Sequence, residues 1–446
     1  MTTAVRRAGA FAVVGAGALL IPLAARQLPP AAATVLGTVP FLALAAAALQ
    51  FIDAGFVFEL FARPGDRRDG RLYGLAGFSL SIAALGLLAL QFDMPVAVPV
   101  MAAFVLGVGN LGGHVASDLG ADPVGSTAGF VATGSVAGVL GQLASNGIVG
   151  TTAAMPVTVF LAVSGALLGA LLRSVLFERD DPLVLISIGL LLWLFADLPL
   201  SVTPTGIALA LAITVALGYV SYALDTASLP GMLTGVFLSL LTIVVGDYGW
   251  FAMLITFFGG GGLASKFRYA EKVKRGVAQE NEGARGSGNV LANSLVALGA
   301  VLAAAASPRL TTLSPEVFLF VFAGSVAAAM SDTLSSEFGG LYDAPRLITT
   351  LERVEPGTDG GVTWQGELAG LSGAALIAAI ALVAFETIAA LGATVIVCSG
   401  FVGMTVDSLL GATLEGQWLG NQGVNFLATL SAGVVGGVLA VGVGLV

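Results

Sequence analysis

Fifteen apolar runs follow one another along this chain, from about residues 8–25 to about 426–445, with little more than short polar turns between them. Most have roughly the 17–25 residues that a helix needs to cross a bilayer. Lipid admits only structures that satisfy their own backbone, and continuous apolar runs favour helices over the alternating strands of a barrel. The expected fold is therefore an all-α, polytopic transmembrane helix bundle of about 13–15 spans. The short pair flanking Gly246-Asp247-Tyr248-Gly249 is either two crossings or a broken, re-entrant hairpin near 246–249. Residues 1–204 have long spans and sparse chemistry, and read as an N-terminal membrane region of unassigned role. Nearly all motif-like polar clusters fall in 205–446, the expected catalytic membrane domain.

Charge supports this reading. Only 10% of the residues are charged and 57% are hydrophobic, whereas soluble domains carry about 25% charged residues. The net charge of −9 leaves no basic surface for nucleic acid. Basic loops set orientation. Arg6 and Arg7 precede the first run, Arg63 to Arg71 follow the second, and Arg173 and Arg179 follow the sixth. The lysine loop follows the tenth, and Arg346 and Arg353 the twelfth. Each lies after an even number of runs, so the expectation is a multi-pass cell-membrane protein with its motif loops on the cytoplasmic side. Arg26 and Arg309 are isolated exceptions. The single Cys398 excludes a disulfide framework and reads as a small packing residue.

Four polar clusters share the predicted cytoplasmic face. The first holds all three lysines, Lys266, Lys272 and Lys274, in a loop expected to be wet and cationic. It ends at Arg285, with Asn289 and Asn293 at the start of the next run. That arrangement suits a phosphate at a helix N-terminus, or equally an anchor on anionic lipid. The second runs from Ser331 through Asp332 to Glu337. Its two acids converge on one Mg²⁺ only if the helix ends between them; otherwise they decorate a helix terminus. The third, Glu355 to Trp364, contains Gly357, Thr358, Gly360 and Gly361, and is either an anion-binding nest or a flexible loop. In the fourth, Asp407 lies inside an apolar run, with Thr413, Glu415 and Asn425 beyond it. An ionisable group at that depth is expensive and marks a functional site by default. Other signals are weak. Gly107-Val-Gly109-Asn-Leu-Gly112 matches a dinucleotide fingerprint but follows no strand. His114, the one histidine, has no metal-ligand spacing around it and reads as a packed or headgroup-facing residue.

Five of these stretches, in order, resemble the motifs of one integral-membrane family. They are Phe257 to Lys266, Gly283-Ala-Arg285 with Asn289 to Asn293, Ser331-Asp332-Thr with Ser336-Glu337-Phe-Gly, Gly357 to Val362, and Asp407 to Thr413. The family is domain-of-unknown-function family ninety-two, which includes transmembrane protein nineteen and the plant phytyl-phosphate kinase; the resemblance spans about 205–446. Ser287-Gly288-Asn289 and Leu334 depart from its usual pattern. The resemblance implies transfer of a phosphoryl group from a nucleoside triphosphate to an isoprenyl monophosphate in a lipid membrane. With that chemistry in view, the residues themselves suggest catalytic roles for Lys266, Arg285, Asp332 and Asp407, and phosphate or substrate contacts from Lys272, Lys274, Asn289, Asn293, Gly357, Thr358, Gly360, Gly361, Thr413 and Asn425. Mg²⁺ would fall to Asp332, Glu337, Asp407 and Glu415. Two alternatives fit the same residues: a transporter or flippase of a lipid phosphate or other anion, and a non-catalytic membrane scaffold. Oligomeric state is not legible.

Overall fold

The computed structural model describes residues 2–176, 180–224, 227–278 and 286–446. The chain divides into two units, Met1–Ala208 and Leu209–Val446.

In the first unit, α1 (Thr3–Ala16) and α2 (Leu20–Gln27) join through a tight turn into one span, followed by α3 (Pro30–Gln50). Two short helices, α4 (Gly55–Phe61) and α5 (Pro64–Asp69), lead to α6 (Tyr73–Gln91), α7 (Ala97–Asp118), α8 (Pro123–Val149), α9 (Met155–Val175) and α10 (Asp181–Asp197). The longest packing seam joins α7 to α8. Two glycines of the apparent dinucleotide fingerprint serve that seam: a Cβ on Gly109 would lie 3.0 Å from the Phe130 ring, and one on Gly112 would overlap Thr133, whereas Gly107 packs against Ala12 of α1. Glycine lets two backbones approach closely in a membrane helix pair.

The unit boundary falls within α11 (Pro204–Ala223). The second unit continues with α12 (Leu229–Leu241), α13 (Tyr248–Lys266), α14 (Tyr269–Arg275), α15 (Ser287–Leu310) and α16 (Pro315–Gly339). A two-stranded antiparallel ribbon follows, β1 (Arg346–Leu347) with β2 (Gly361–Val362), and then α17 (Trp364–Ala384), α18 (Ala390–Thr413) and α19 (Asn421–Gly442). Helix starts use familiar devices. Pro lies in the first turn of α12 and α16, and the side chains of Ser228, Asp247 and Thr363 cap α12, α13 and α17.

Helix α16 is the centre of this unit, packed against α13, α15, α17, α18 and α19. Small residues let its neighbours in. Gly370 and Gly373 of α17 would place a Cβ 2.9 Å from the Ser331 oxygen and 3.2 Å from that of Met330. Gly403 of α18 meets Ala328, and Gly436 of α19 would meet the Phe320 oxygen at 2.6 Å.

Among the described residues, thirteen helices are long and apolar enough to cross a membrane. The two expected runs outside that set are α10, which has only 17 residues, and α13, whose C-terminal half carries Gly259 to Gly262. Each basic loop still follows an even number of such helices. Near 246–249, α12 ends in a wide turn, Thr242–Gly246. Asp247 then reverses the chain in an extended conformation and accepts from the Gly249 and Trp250 amides. Cys398 departs from the packing expectation: it lies exposed on the surface of α18.

Candidate functional site

Helix α16 runs unbroken through both of its acids to Gly339. The condition for Asp332 and Glu337 to share one ion is therefore not met. Five residues on a helix turn through about 140° beyond a full revolution, so the two carboxylates serve different neighbours.

Asp332 faces α18, where its carboxyl lies in hydrogen-bond contact with that of Asp407. Asp407 Oδ2 is buried and receives no hydrogen bond from a donor group. Glu415, just past the end of α18, acts on Asp407 through its charge. Burial and the nearby Asp359 push the Glu415 carboxyl above its ordinary range, while a hydrogen bond with the Asn421 side chain pulls the other way. Two carboxylates in contact repel unless a proton or a cation lies between them. No group of three or more metal-ligating side chains occurs among the described residues. The Asp332–Asp407 pair nonetheless suits Mg²⁺, which commonly takes one or two carboxylates and completes its shell with water and substrate phosphate.

Glu337 turns instead to Lys272. Their ion pair is 2.5 Å long and nearly sealed, with side-chain exposures of 3% and 1%. The ammonium also donates to the Ala264 and Ser265 carbonyls at 2.7 and 3.3 Å. Lys272 thus closes the C-terminal turn of α13 and ties it to α16, which is favourable for a cation at the negative end of a helix. The expectation of a wet loop fails for Lys272, whose ammonium found its anion inside the protein. Lys266 and Lys274 are exposed on the protein surface. Lys266 donates to the Leu224 carbonyl at 3.1 Å. Arg285 lies outside the described residues.

The glycine segment is fixed by its fit to α18. Gly360 has φ +74°, and a Cβ there would come within 2.6 Å of the Ala412 amide nitrogen and the Ser408 oxygen. Its neighbour Gly411 would meet the Gly360 nitrogen at 3.1 Å. This contact sets Asp359 beside Glu415. Gly361 pairs in the ribbon with Leu347, Gly357 turns with φ +86°, and the Thr358 hydroxyl donates to the Glu355 carbonyl.

The starts of α15 and α19 meet next to this acidic group. Gly288 leaves room for Gln422, whose amide would overlap any side chain at that position. Asn293 donates to the Asn289 carbonyl, and Asn425 to Asn421 Oδ1. Asn421, linked to Glu415, connects these N-termini to the acids. Thr413 is exposed, its hydroxyl bonded back to Leu409 within α18. One end of the second unit therefore gathers Asp332, Asp407, Glu415, the glycine segment and two helix N-termini. Beside them lie Asp359 and Asn421, which the sequence clusters contained without a role assigned to either, and Gln422, which sequence reasoning missed. Asp359 stood among its glycines and Asn421 beside Asn425, whereas Gln422 carried no signal beyond its place at a helix start.

Comparison with known proteins places this constellation. An uncharacterised membrane protein of Methanocaldococcus jannaschii is 37% identical over 195 residues, covering 42% of this chain and 75% of the relative. One of Synechocystis is 31% identical over 211 residues, 45% of this chain and 77% of the relative. Protein VTE6, chloroplastic, of Arabidopsis thaliana is 28% identical over 183 residues, 40% and 54% respectively. No solved structure matches. Residues 212–433 match the family described as Integral membrane protein DUF92 and enclose all the contacts just described between Lys272, Asp332, Glu337, the glycine segment and Asp407. The chain belongs to that family.

Proposed function

We propose that the second unit is a membrane-embedded, Mg²⁺-dependent isoprenyl-phosphate kinase, transferring a phosphoryl group from a nucleoside triphosphate to a prenyl- or phytyl-type monophosphate. The observation that carries this reading is the contact between Asp332 and Asp407, with Asp407 Oδ2 buried and receiving no hydrogen bond from a donor group. Such a pair is costly unless it shares a proton or holds a cation, and phosphoryl transfer relies on positioning and on neutralising charge more than on covalent chemistry. Mg²⁺ held by Asp332 and Asp407 would supply charge neutralisation for the phosphates.

The chain's own residues do the rest. The Lys272–Glu337 pair fixes α13 to α16 and so sets the position of Asp332. Close docking of Gly360 on α18 holds the glycine segment over the acids. The N-termini of α15 and α19 offer amide donors suited to phosphate oxygens. Exposed Lys266 and Lys274 are placed to draw anions toward the surface. No general base is needed, because the acceptor is already a phosphate anion. The lipid tail would lie between helices, with its phosphate at the loop end.

The test is purified protein with geranylgeranyl or phytyl phosphate, Mg²⁺ and each nucleoside triphosphate, read for the lipid diphosphate. Diphosphate formation that stops on chelation of Mg²⁺ supports the reading. Absence of product with every nucleotide, in protein that stays folded, refutes it; flux of the lipid phosphate across vesicles would then favour a transporter.

A further inference from the structure

The short helix α14 touches several parts of the second unit on which the proposed site depends. It is bracketed by Arg268 and Gly276, both in the left-handed region, at φ +50° and +70°. The chain turns sharply at each end, so α14 does not prolong α13 but closes the C-termini of two helices. Lys272 closes α13, as described above, and Arg275 closes α16. Arg275 Nε donates to the Gly340 carbonyl at 3.0 Å, and its Nη2 to the Tyr342 carbonyl at 2.9 Å and the Asp343 carboxylate at 2.7 Å. Asp343 is 90% exposed, so that ion pair is screened and contributes little. The two carbonyls matter more. A rigid guanidinium fork bridges both, which the single ammonium of a lysine does not reproduce.

Gly340 and Tyr342 begin the loop that carries the ribbon and the glycine segment, and the residues just after α14 reach the far side of that loop. Val277 is half-buried, with its amide held by the Lys272 carbonyl at 3.0 Å. A Cβ on Gly340 would lie 3.3 Å from Val277 Cγ2, and one on Gly357 would lie 3.4 Å from its Cγ1. Val277 thus packs between the start of the loop and the glycine segment. Three residues beyond Gly357, Gly360 docks on α18. One line of contacts runs from Arg275 through Gly340 and Val277 to Gly357, and on through Gly360 to the helix that carries Asp407.

We propose that Arg275 and Val277 are positioning residues of the phosphoryl-transfer site. They hold the glycine segment in place over the Asp332–Asp407 pair, so that its backbone amides meet the nucleotide phosphates, while neither side chain touches the ligand. The lysine loop then serves the site through geometry as well as charge. The effect on turnover rests on the kinase reading above; the effect on the segment does not.

Two measurements on the full chain in detergent test this. The first is amide hydrogen exchange over residues 355–361. Arg275→Gln, Arg275→Lys and Val277→Ala should each speed it about tenfold, from the loss of charge-assisted hydrogen bonds or of packing, and exchange in α16 and α18 should not change. Asp343→Asn and Lys274→Gln should leave exchange of the segment near wild type. The second is the nucleotide KM, which should rise about tenfold in the same three variants while the KM for the lipid phosphate stays near wild type. Unchanged exchange in either the Arg275 or the Val277 variants overturns the proposal. So does recovery in Arg275→Lys, which would make charge alone responsible, or faster exchange spread evenly over α16 and α18. A nucleotide KM that stays put while the segment loosens also overturns it. Faster exchange confined to the segment, in a protein that makes no lipid diphosphate, would uphold the positioning and refute the kinase reading.

Discussion

The sealed pair of Lys272 and Glu337 gives the sharpest test of how the second unit is held. Lys272→Met removes the donor to Glu337 Oε2, while the other oxygen, Oε1, is already buried without a partner. Breaking a buried pair from one side costs about 3–5 kcal/mol. The α13 carbonyls of Ala264 and Ser265 also lose their donor, at about 1 kcal/mol each. Glu337→Gln should cost less, because the amide oxygen still accepts from the ammonium. Replacing both, as Lys272→Met with Glu337→Leu, removes the uncompensated charge and should recover most of the loss, giving a coupling of about 3 kcal/mol. The assay is a double-mutant cycle on unfolding by SDS titration from a mild detergent. A Lys272→Met variant within about 1 kcal/mol of wild type, or single effects that simply add, would refute the claim that this pair locks α13 to α16.

Asp407→Asn should reduce turnover roughly a hundredfold or more by weakening Mg²⁺-assisted stabilisation of charge, with stability in detergent unchanged or raised because one of two touching carboxylates becomes neutral; normal activity and magnesium dependence would remove Asp407 from the site. Glu415 binds its proton more tightly folded than unfolded, so its ionisation lowers stability as pH rises above its ordinary value of 4.5. Glu415→Gln should therefore raise the melting temperature at pH 7 and change it little below pH 4.5, which thermal scans at both pH values would check. Gly360→Ala combines a positive φ with a clash against Ala412 and should cost about 1–3 kcal/mol, seen as faster proteolysis of the 355–360 segment. A cysteine at Lys274, in a background with exposed Cys398 replaced, should resist impermeant labelling from outside intact cells; efficient labelling would reverse the proposed orientation.

Hydropathy alone determined that this chain is a bundle of membrane-crossing helices, because the cost of burying an unpaired backbone in lipid leaves almost no other fold. It also marked Asp407, since a carboxylate deep in an apolar run is conspicuous without any structure. Tertiary packing decided which charged groups meet. Asp332 and Asp407 come together because Gly370, Gly373 and Gly403 let α17 and α18 close on α16. Glu337 and Lys272, read from sequence as metal and phosphate groups, face each other instead because α16 continues past both acids. Arg7, Arg63 and Arg173 looked like separate topology markers, yet they converge around one cleft that includes Asp181. The sequence signal for a span is local, carried by some twenty neighbouring residues. The partner of a buried charge is set by which helices lie side by side, and that choice is written in close contacts between residues far apart in the chain.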